Sequence, residues 1–299
     1  MLDLVQVRSF VALATELHFG RAAQRLNMTQ PPLSRQIQRL EEYLGAQLFA
    51  RTSHSVELTA AGRNFLPEAT ALLRHSAEAE QVARQAKPSQ AGALSLGFIG
   101  ATTYGLLPRL VAEASSKLPA VVITLKEMTS ADQINALAFG EIDLGLVRPI
   151  AANPDIESEL IAHEDFLVAL PLQNPLAQRQ RLALEDLRNE PFIMYHQDAP
   201  YLHNVLMSAF KTTRVFPPIV QSLTHAQAIL ALVSVGLGVA IVPEDARHAS
   251  FDNIVFRPIR LGNGVRAEMH VIYRTDNRNF AVPLLRQLAK AVGGATSVL

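Results

Sequence analysis

The sequence predicts an α/β protein carrying an all-α module at its N-terminus, and three observations lead there. Its 299 residues make two domains at about 150 residues each. From Leu94 onward, short β-rich runs such as Leu94–Ile99, Val121–Leu125 and Asp143–Val147 alternate with helix-length stretches, the rhythm of an α/β sheet. The first 86 residues have a different texture: they contain no lysine, their cations being nine arginines against eight carboxylates. Between the two textures lies Lys87-Pro-Ser-Gln-Ala-Gly92, whose Pro, Ser and Gly mark a hinge. The expected division is therefore 1–58, a linking helix 59–86, a hinge 87–93, and an α/β domain 94–299.

Composition narrows the function. With 27 Lys+Arg against 27 Asp+Glu the chain is formally neutral, so bulk positive charge cannot coat nucleic acid, and any such contact must be a local patch. The absence of cysteine excludes thiol catalysis, Cys-ligated zinc, iron–sulfur clusters and disulfides. Asp3, Arg8 and Glu16 interrupt the apolar start, so no signal peptide is expected there, and no run approaches the roughly 18 apolar residues of a membrane span. The expectation is a soluble cytoplasmic protein with no membrane partner. At 49% hydrophobic and 18% charged, it is not disordered.

Element by element, Leu4, Val7, Val11 and Ala14 recur at steps of three and four, giving a first helix over 2–17 with one apolar face. A second helix follows at Phe19–Leu26. After the turn Asn27-Met28, Thr29 is placed to cap a third helix whose first turn holds Pro31 and Pro32, where missing amide hydrogens cost nothing. Two helices joined by a tight turn make a helix-turn-helix. Along the third helix Leu33, Ile37, Leu40 and Leu44 form a buried stripe, leaving Gln30, Pro31, Ser34, Arg35, Gln38 and Arg39 on the outer side. Arg donating twice to guanine, Gln pairing with adenine, and Ser reaching phosphate or base edge suit a DNA major groove; the same pattern also fits a three-helix cap with a solvated polar face. Glu41 and Glu42 lie beyond the expected phosphate contacts. Ala50–Leu58 reads as a hairpin, a wing whose Arg51 holds a phosphate. Thr59 caps a helix to about Ala86, running roughly 40 Å, with Pro67 expected to bend it. Its stripe Phe65, Ala69, Leu72, Leu73 and Ala83 points to pairing with a second copy, or to packing on its own C-terminal domain.

Phe19–Leu26, Gln30-Pro-Pro-Leu-Ser-Arg-Gln-Ile37, Leu40-Glu-Glu-Tyr-Leu-Gly45, Leu48-Phe-Ala-Arg51 and Leu58-Thr-Ala-Ala-Gly62, followed by long helix, hinge and α/β domain, resemble the LysR-type transcriptional regulators over essentially the whole chain. One departure is Ser53-His54-Ser55 in the wing, where many relatives place a further Arg or Lys; phosphate grip there depends on His54 protonation. The resemblance implies a homodimer or homotetramer that binds promoter DNA and works with RNA polymerase. It also implies a two-lobed, periplasmic-binding-protein-like effector domain, with lobe I about 94–163 and 268–299 and lobe II about 164–267. The chain would cross between lobes near 164–170 and return near 269–273, and a last helix around Ala281–Val292 would close lobe I.

In open α/β sheets ligands lie beyond the carboxyl ends of strands. There stand Ala101, Thr102 and Thr103 after the first strand, Thr129 and Ser130 after the second, and Arg148 after the third. Pro200, Tyr201 and Leu202 open a helix of lobe II, and His225 opens another. Amide hydrogens at helix starts, with these hydroxyls, suit a small carboxylate. Singly, each hydroxyl also reads as an ordinary cap, Arg148 as a lobe-bridging ion-pair partner, and His225 as a capping or interface histidine. Within the family, Gly97-Phe-Ile-Gly100, Gly105-Leu-Leu-Pro-Arg109 and Glu127-Met128 resemble regulators of aromatic-compound catabolism, including muconate- and benzoate-responsive ones. Those commonly place a serine where Ala101 stands; Thr102 replaces that donor only if its side chain turns inward.

Catalysis finds no support. There is no Gly-x-Ser-x-Gly elbow, Walker loop or His-Glu-x-x-His, and Gly236-Leu-Gly238 precedes a strand instead of following one. His163, Glu164 and Asp165 are adjacent on a strand and point to alternate faces, a poor chelate. No cofactor and no metal are expected. A solute-binding transport protein would need an export signal and no helix-turn-helix.

Overall fold

The computed structural model describes residues 1–51, 55–85 and 92–296, which fall into an N-terminal and a C-terminal compact unit. The wing residues Thr52, Ser53 and His54 and the hinge residues 87–91 lie outside the described residues. Gly92 and Ala93, expected in the hinge, already belong to a strand.

The N-terminal unit opens with α1 (Leu4–Glu16), α2 (Phe19–Arg25) and α3 (Gln30–Leu44). Asp3 caps α1 by accepting from the Val5 amide, and α1 ends on Leu17 in the left-handed region at φ 46°. His18 does the same service for α2 through Nδ1, accepting from Gly20 and Arg21. Thr29 stands at the N-cap of α3 but its hydroxyl makes no cap bond, a correction to the expected role; Pro31 and Pro32 open the helix without it. Leu4, placed on the buried face of α1, is exposed, while Val7, Val11 and Ala14 are buried.

A two-stranded antiparallel hairpin of β1 (Phe49–Arg51) and β2 (Val56–Leu58) forms the wing. Then α4 (Ala60–Gln85) runs 26 residues, about 39 Å, as one element through Pro67. Thr59 caps it: its Oγ1 accepts from the Gly62 amide at 3.0 Å and donates to the Gln47 carbonyl at 2.7 Å. Gly62 must be glycine, because a Cβ there would lie 2.1 Å from the Leu48 carbonyl oxygen. Phe10 of α1 centres the core, its ring 5.4 Å from Phe49 of the wing and 5.1 Å from Phe65 of α4.

This packing corrects the reading of α4's stripe. Ala69 and Leu73 are buried in the core of the helix-turn-helix itself, with Phe65 partly buried beside them. Only Leu72 of the four described stripe residues is exposed, at 39%. The side chain of Ala83 lies outside the described set.

In the C-terminal unit, β3 (Gly92–Phe98), α5 (Leu106–Lys117), β4 (Val121–Glu127), α6 (Ser130–Ala138), β5 (Leu144–Val147) and β6 (Ile156–Glu164) build lobe I. The chain crosses at Asp165 into β7 (Phe166–Pro171), β8 (Phe192–Tyr195), α7 (Pro200–Thr213), β9 (Ile219–Leu223), α8 (Ala226–Ser234), β10 (Ala240–Pro243) and β11 (Ile254–Ile259) of lobe II. It returns between Ile259 and Ala267, earlier than expected, into β12 (Ala267–Arg274), and α9 (Ala281–Thr296) ends the described chain.

The lobe I sheet has the order β4-β3-β5-β12-β6, with β4, β3 and β5 parallel and β12 antiparallel to both neighbours. Lobe II pairs β7 with β10 and β11, and β8 with β9; a parallel bridge between Phe192 and Val239 joins the two sets. Each lobe has its own apolar core. Gly238 sits where a Cβ would meet the Pro191 carbonyl oxygen at 2.5 Å, a close backbone approach.

Candidate functional site

The outer face of α3 holds its predicted side chains in the open. Gln30, Pro31, Arg35, Gln38 and Arg39 are exposed and Ser34 is half-buried, while Leu33, Ile37 and Leu40 are fully buried beneath them. Arg35, Gln38 and Arg39 have no hydrogen bond or ion pair with another described residue, so their donors are available to an outside acceptor. Arg51 ends β1 of the wing. The residue that sequence reasoning missed here is Glu41: it is buried, and its Oε1 accepts from the amides of Leu48 at 2.8 Å and Phe49 at 3.1 Å, tying α3 to the wing.

In the C-terminal unit the parallel strands β3, β4 and β5 end side by side, Phe98 in register with Glu127 and with Leu146. Buried Gln133 of α6 holds this edge together by donating to the carbonyls of Met128 and Leu146, both at 3.2 Å. It lies across Gly97 and Gly145, where a Cβ would come within 3.0 Å and 2.5 Å of its Oε1. That explains both glycines, and nothing in the residue order signals it.

Several predicted hydroxyls are spent locally. Thr102 is buried and donates to the Ile99 carbonyl at 2.8 Å, so it does not supply the donor that Ala101 lacks. Thr103 donates to the Gly100 carbonyl at 2.5 Å. Thr129 donates to Asp132 at 2.8 Å and caps α6 by accepting from the Asp132 amide. Ser130, half-buried in the first turn of α6, has a hydroxyl with no partner among the described residues, and the first amides of a helix lack intrahelical acceptors.

Arg148 is the ion-pair partner that the alternative reading allowed. Its Nη1 donates to Glu164 at 2.8 Å and to the Glu268 carbonyl at 2.9 Å, both groups at the crossings between lobes. The pair is almost fully buried. Tyr201 of α7 reaches across from lobe II, its hydroxyl accepting from the Glu268 amide at 3.0 Å. Burial raises the pKa of that hydroxyl, against the lowering effect of the amide bond. Pro200 is exposed at the start of α7. Leu202, in contrast, is buried in the core of lobe II and cannot line a cleft. His225 stands exposed at the N-cap of α8 without a cap bond. Glu164 faces inward to Arg148 and Asp165 outward to Arg266, so the neighbouring carboxylates diverge.

What the fold brings together at the lobe junction is Ala101, Thr102, Leu106, Arg109, Ala162, Glu164, Asp245 and Met269, around a cavity of about 10 Å³, the room of a single water. Asp245, unremarked in the sequence, belongs to the 3-10 helix Glu244–His248 that follows β10. A polar residue just past a strand end was the signal that could have found it.

Comparison with known proteins gives the same two-part division. Residues 4–63 match the helix-turn-helix of bacterial regulatory proteins of the lysR family, and residues 87–294 match the LysR substrate binding domain. The chain is 37% identical over 286 residues to the transcriptional regulator AlsR of Bacillus subtilis, covering 95% of this chain and 93% of that one. Full-length CbnR, solved in complex with its target DNA, is 29% identical with a TM-score of 0.66, covering 97% of this chain and 100% of CbnR. The effector binding domain of BenM, solved with its effector benzoate, is 25% identical with a TM-score of 0.63, covering 69% of this chain and 94% of that one. With an open-faced recognition helix in one unit and a two-lobed sheet domain in the other, the chain belongs to the LysR family of transcriptional regulators, DNA-binding proteins with an effector-binding domain and not enzymes.

Proposed function

We propose that a small organic acid, aromatic or derived from an aromatic ring, binds between the lobes of the C-terminal domain and controls DNA binding by changing the angle between them. The observation that supports this most is the edge where β3, β4 and β5 end together, with the unpartnered Ser130 hydroxyl and the first amides of α6 opening onto it. Pro200 and Tyr201 of lobe II cover the apolar part of the ligand. A place in the aromatic-catabolism branch follows from the same reading, and BenM, with its benzoate, is the relative that favours it.

On DNA, Gln30 and Arg35 read bases, Ser34, Gln38 and Arg39 hold the helix in the groove, and Arg51 positions the backbone. The regulator acts in the cytoplasm as a homodimer or homotetramer joined through α4, and works on RNA polymerase at the promoter. No described helix is long and apolar enough to cross a membrane.

Fluorescence anisotropy of the full chain on DNA from upstream of its own gene tests the recognition helix. Arg35→Ala should lose about 1–3 kcal/mol and relax preference at one base pair, whereas Arg51→Ala should weaken all sequences alike. An Arg35→Ala variant with unchanged affinity and base preference would move recognition off α3. A thermal-shift screen of aromatic and aliphatic acids tests the ligand class, because a specific binder raises apparent stability.

A further inference from the structure

The room an acid needs at the lobe junction is filled by the protein itself. We propose that Asp245 is an intramolecular competitor of the effector: its carboxyl, carried by lobe II, occupies the Gly105 end of lobe I beside Ala101 and Thr102, and an acid binds by displacing it. The inference rests on the small-acid reading above and adds the group that the acid must move.

The contact is close. A Cβ at Gly105 would lie 2.5 Å from Asp245 Oδ2 and 3.0 Å from its Cγ, so the carboxyl lies directly on the glycine Cα. The cavity left beside it is about 10 Å³, whereas sites for organic ligands are on the order of 300 Å³ or more. Four charged groups face this carboxyl: Glu164 of β6, Arg109 of α5, Arg148 following β5, and His248 of its own 3-10 helix. The Asp245 amide also points at Glu164 Oε2, 3.4 Å away.

Burial, reinforced by Glu164, raises the Asp245 pKa, and Arg109, His248 and Arg148 pull it down without cancelling that rise. The ionised carboxylate is therefore incompletely compensated where it sits. Moved into water it recovers its hydration and leaves the field of Arg109 and of Arg148, the latter still paired with Glu164, to the incoming anion. An acid whose carboxylate lies at Ser130 needs for its body the room beside Ala101 and Thr102 that Asp245 fills, and the two carboxylates feel the same cations, which is why they compete.

Two variants act on the contact from opposite sides. Asp245→Ala removes the carboxyl, and Gly105→Ala places a methyl where the carboxyl rests. Hydrogen exchange of the ligand-free full chain should show the amides of 102–107 exchanging at least tenfold faster in both. Calorimetry with benzoate, and with acetate as an aliphatic acid, should show affinity for the better acid raised about tenfold in Asp245→Ala, whereas Gly105→Ala, whose methyl takes up the room that the carboxyl leaves, should show no such gain. The double variant should lose the gain of Asp245→Ala, since the methyl fills what that substitution empties. If the wild type binds benzoate or acetate and Asp245→Ala binds no more tightly, the competitor is refuted while the small-acid site stands. Weaker binding by Asp245→Ala would make Asp245 a ligand contact and would also refute it. If neither acid binds any form, the small-acid reading fails and the competitor with it.

Discussion

Glu41 stands in a stretch of α3 that the sequence suggested was past the DNA, and its role is internal. With Leu48 and Phe49 amides both donating to one buried carboxylate oxygen, Glu41→Ala leaves two buried N–H groups without an acceptor. A loss of about 2–3 kcal/mol follows, measurable by urea denaturation. Asp245 gives the opposite sign. Its pKa is raised in the fold above the usual 3.8, so the native state holds the proton more tightly than the unfolded chain. The stability it contributes is full below the unfolded pKa and is lost as pH rises through the raised folded value. Asp245→Asn keeps the shape and removes the titration. Its thermal midpoint should therefore draw ahead of the wild type as pH rises across that window and hold a constant lead above it. A lead that shrinks with pH would contradict the burial cause. At this scale the exposed row Gln30, Arg35, Gln38 and Arg39 was legible because helical spacing alone sets which side chains face out. The fates of Thr102, Thr103 and Thr129 were not, because a hydroxyl's choice between its own backbone and a ligand leaves no trace in residue order.

Among the elements, α4 separates what periodicity can and cannot say. Its apolar stripe was read correctly as a stripe, but spacing does not name the surface it meets, and Ala69 and Leu73 lie in the helix-turn-helix core of their own chain. Leu73→Glu should therefore unfold the helix-turn-helix, seen as loss of its cooperative melting, since a charge there is buried without a partner. Leu72→Glu, on the exposed side, should leave that melting intact and weaken self-association in sedimentation. If Leu72→Glu sediments as the wild type does, the interface between copies lies elsewhere. The strands from β3 to β5 and the helices α5 to α7 were legible from β-rich runs and turn residues. The opening of α3 was legible too, although Thr29 at its N-cap makes no side-chain bond and the prolines of the first turn only leave fewer amides to cap.

Across the whole molecule, the two-part division followed from the change of texture near Leu94. The lobe junction was harder to read, because its residues come from segments far apart: Gly105 meets Asp245 across 140 positions, and Arg148 meets Glu268 across 120. Such pairs are set by how sheets close, which no local pattern encodes. The central claim is that an acid seats at the α6 end of lobe I. Calorimetry of the full chain with the best acid from the screen, beside Ser130→Val, tests it most directly. Loss of a hydrogen bond to a charged group is worth about 1.5–3 kcal/mol, so the variant should bind roughly tenfold or more weakly. Equal affinities would place the carboxylate away from Ser130, and a preferred ligand that is cationic or neutral would contradict the anion site altogether.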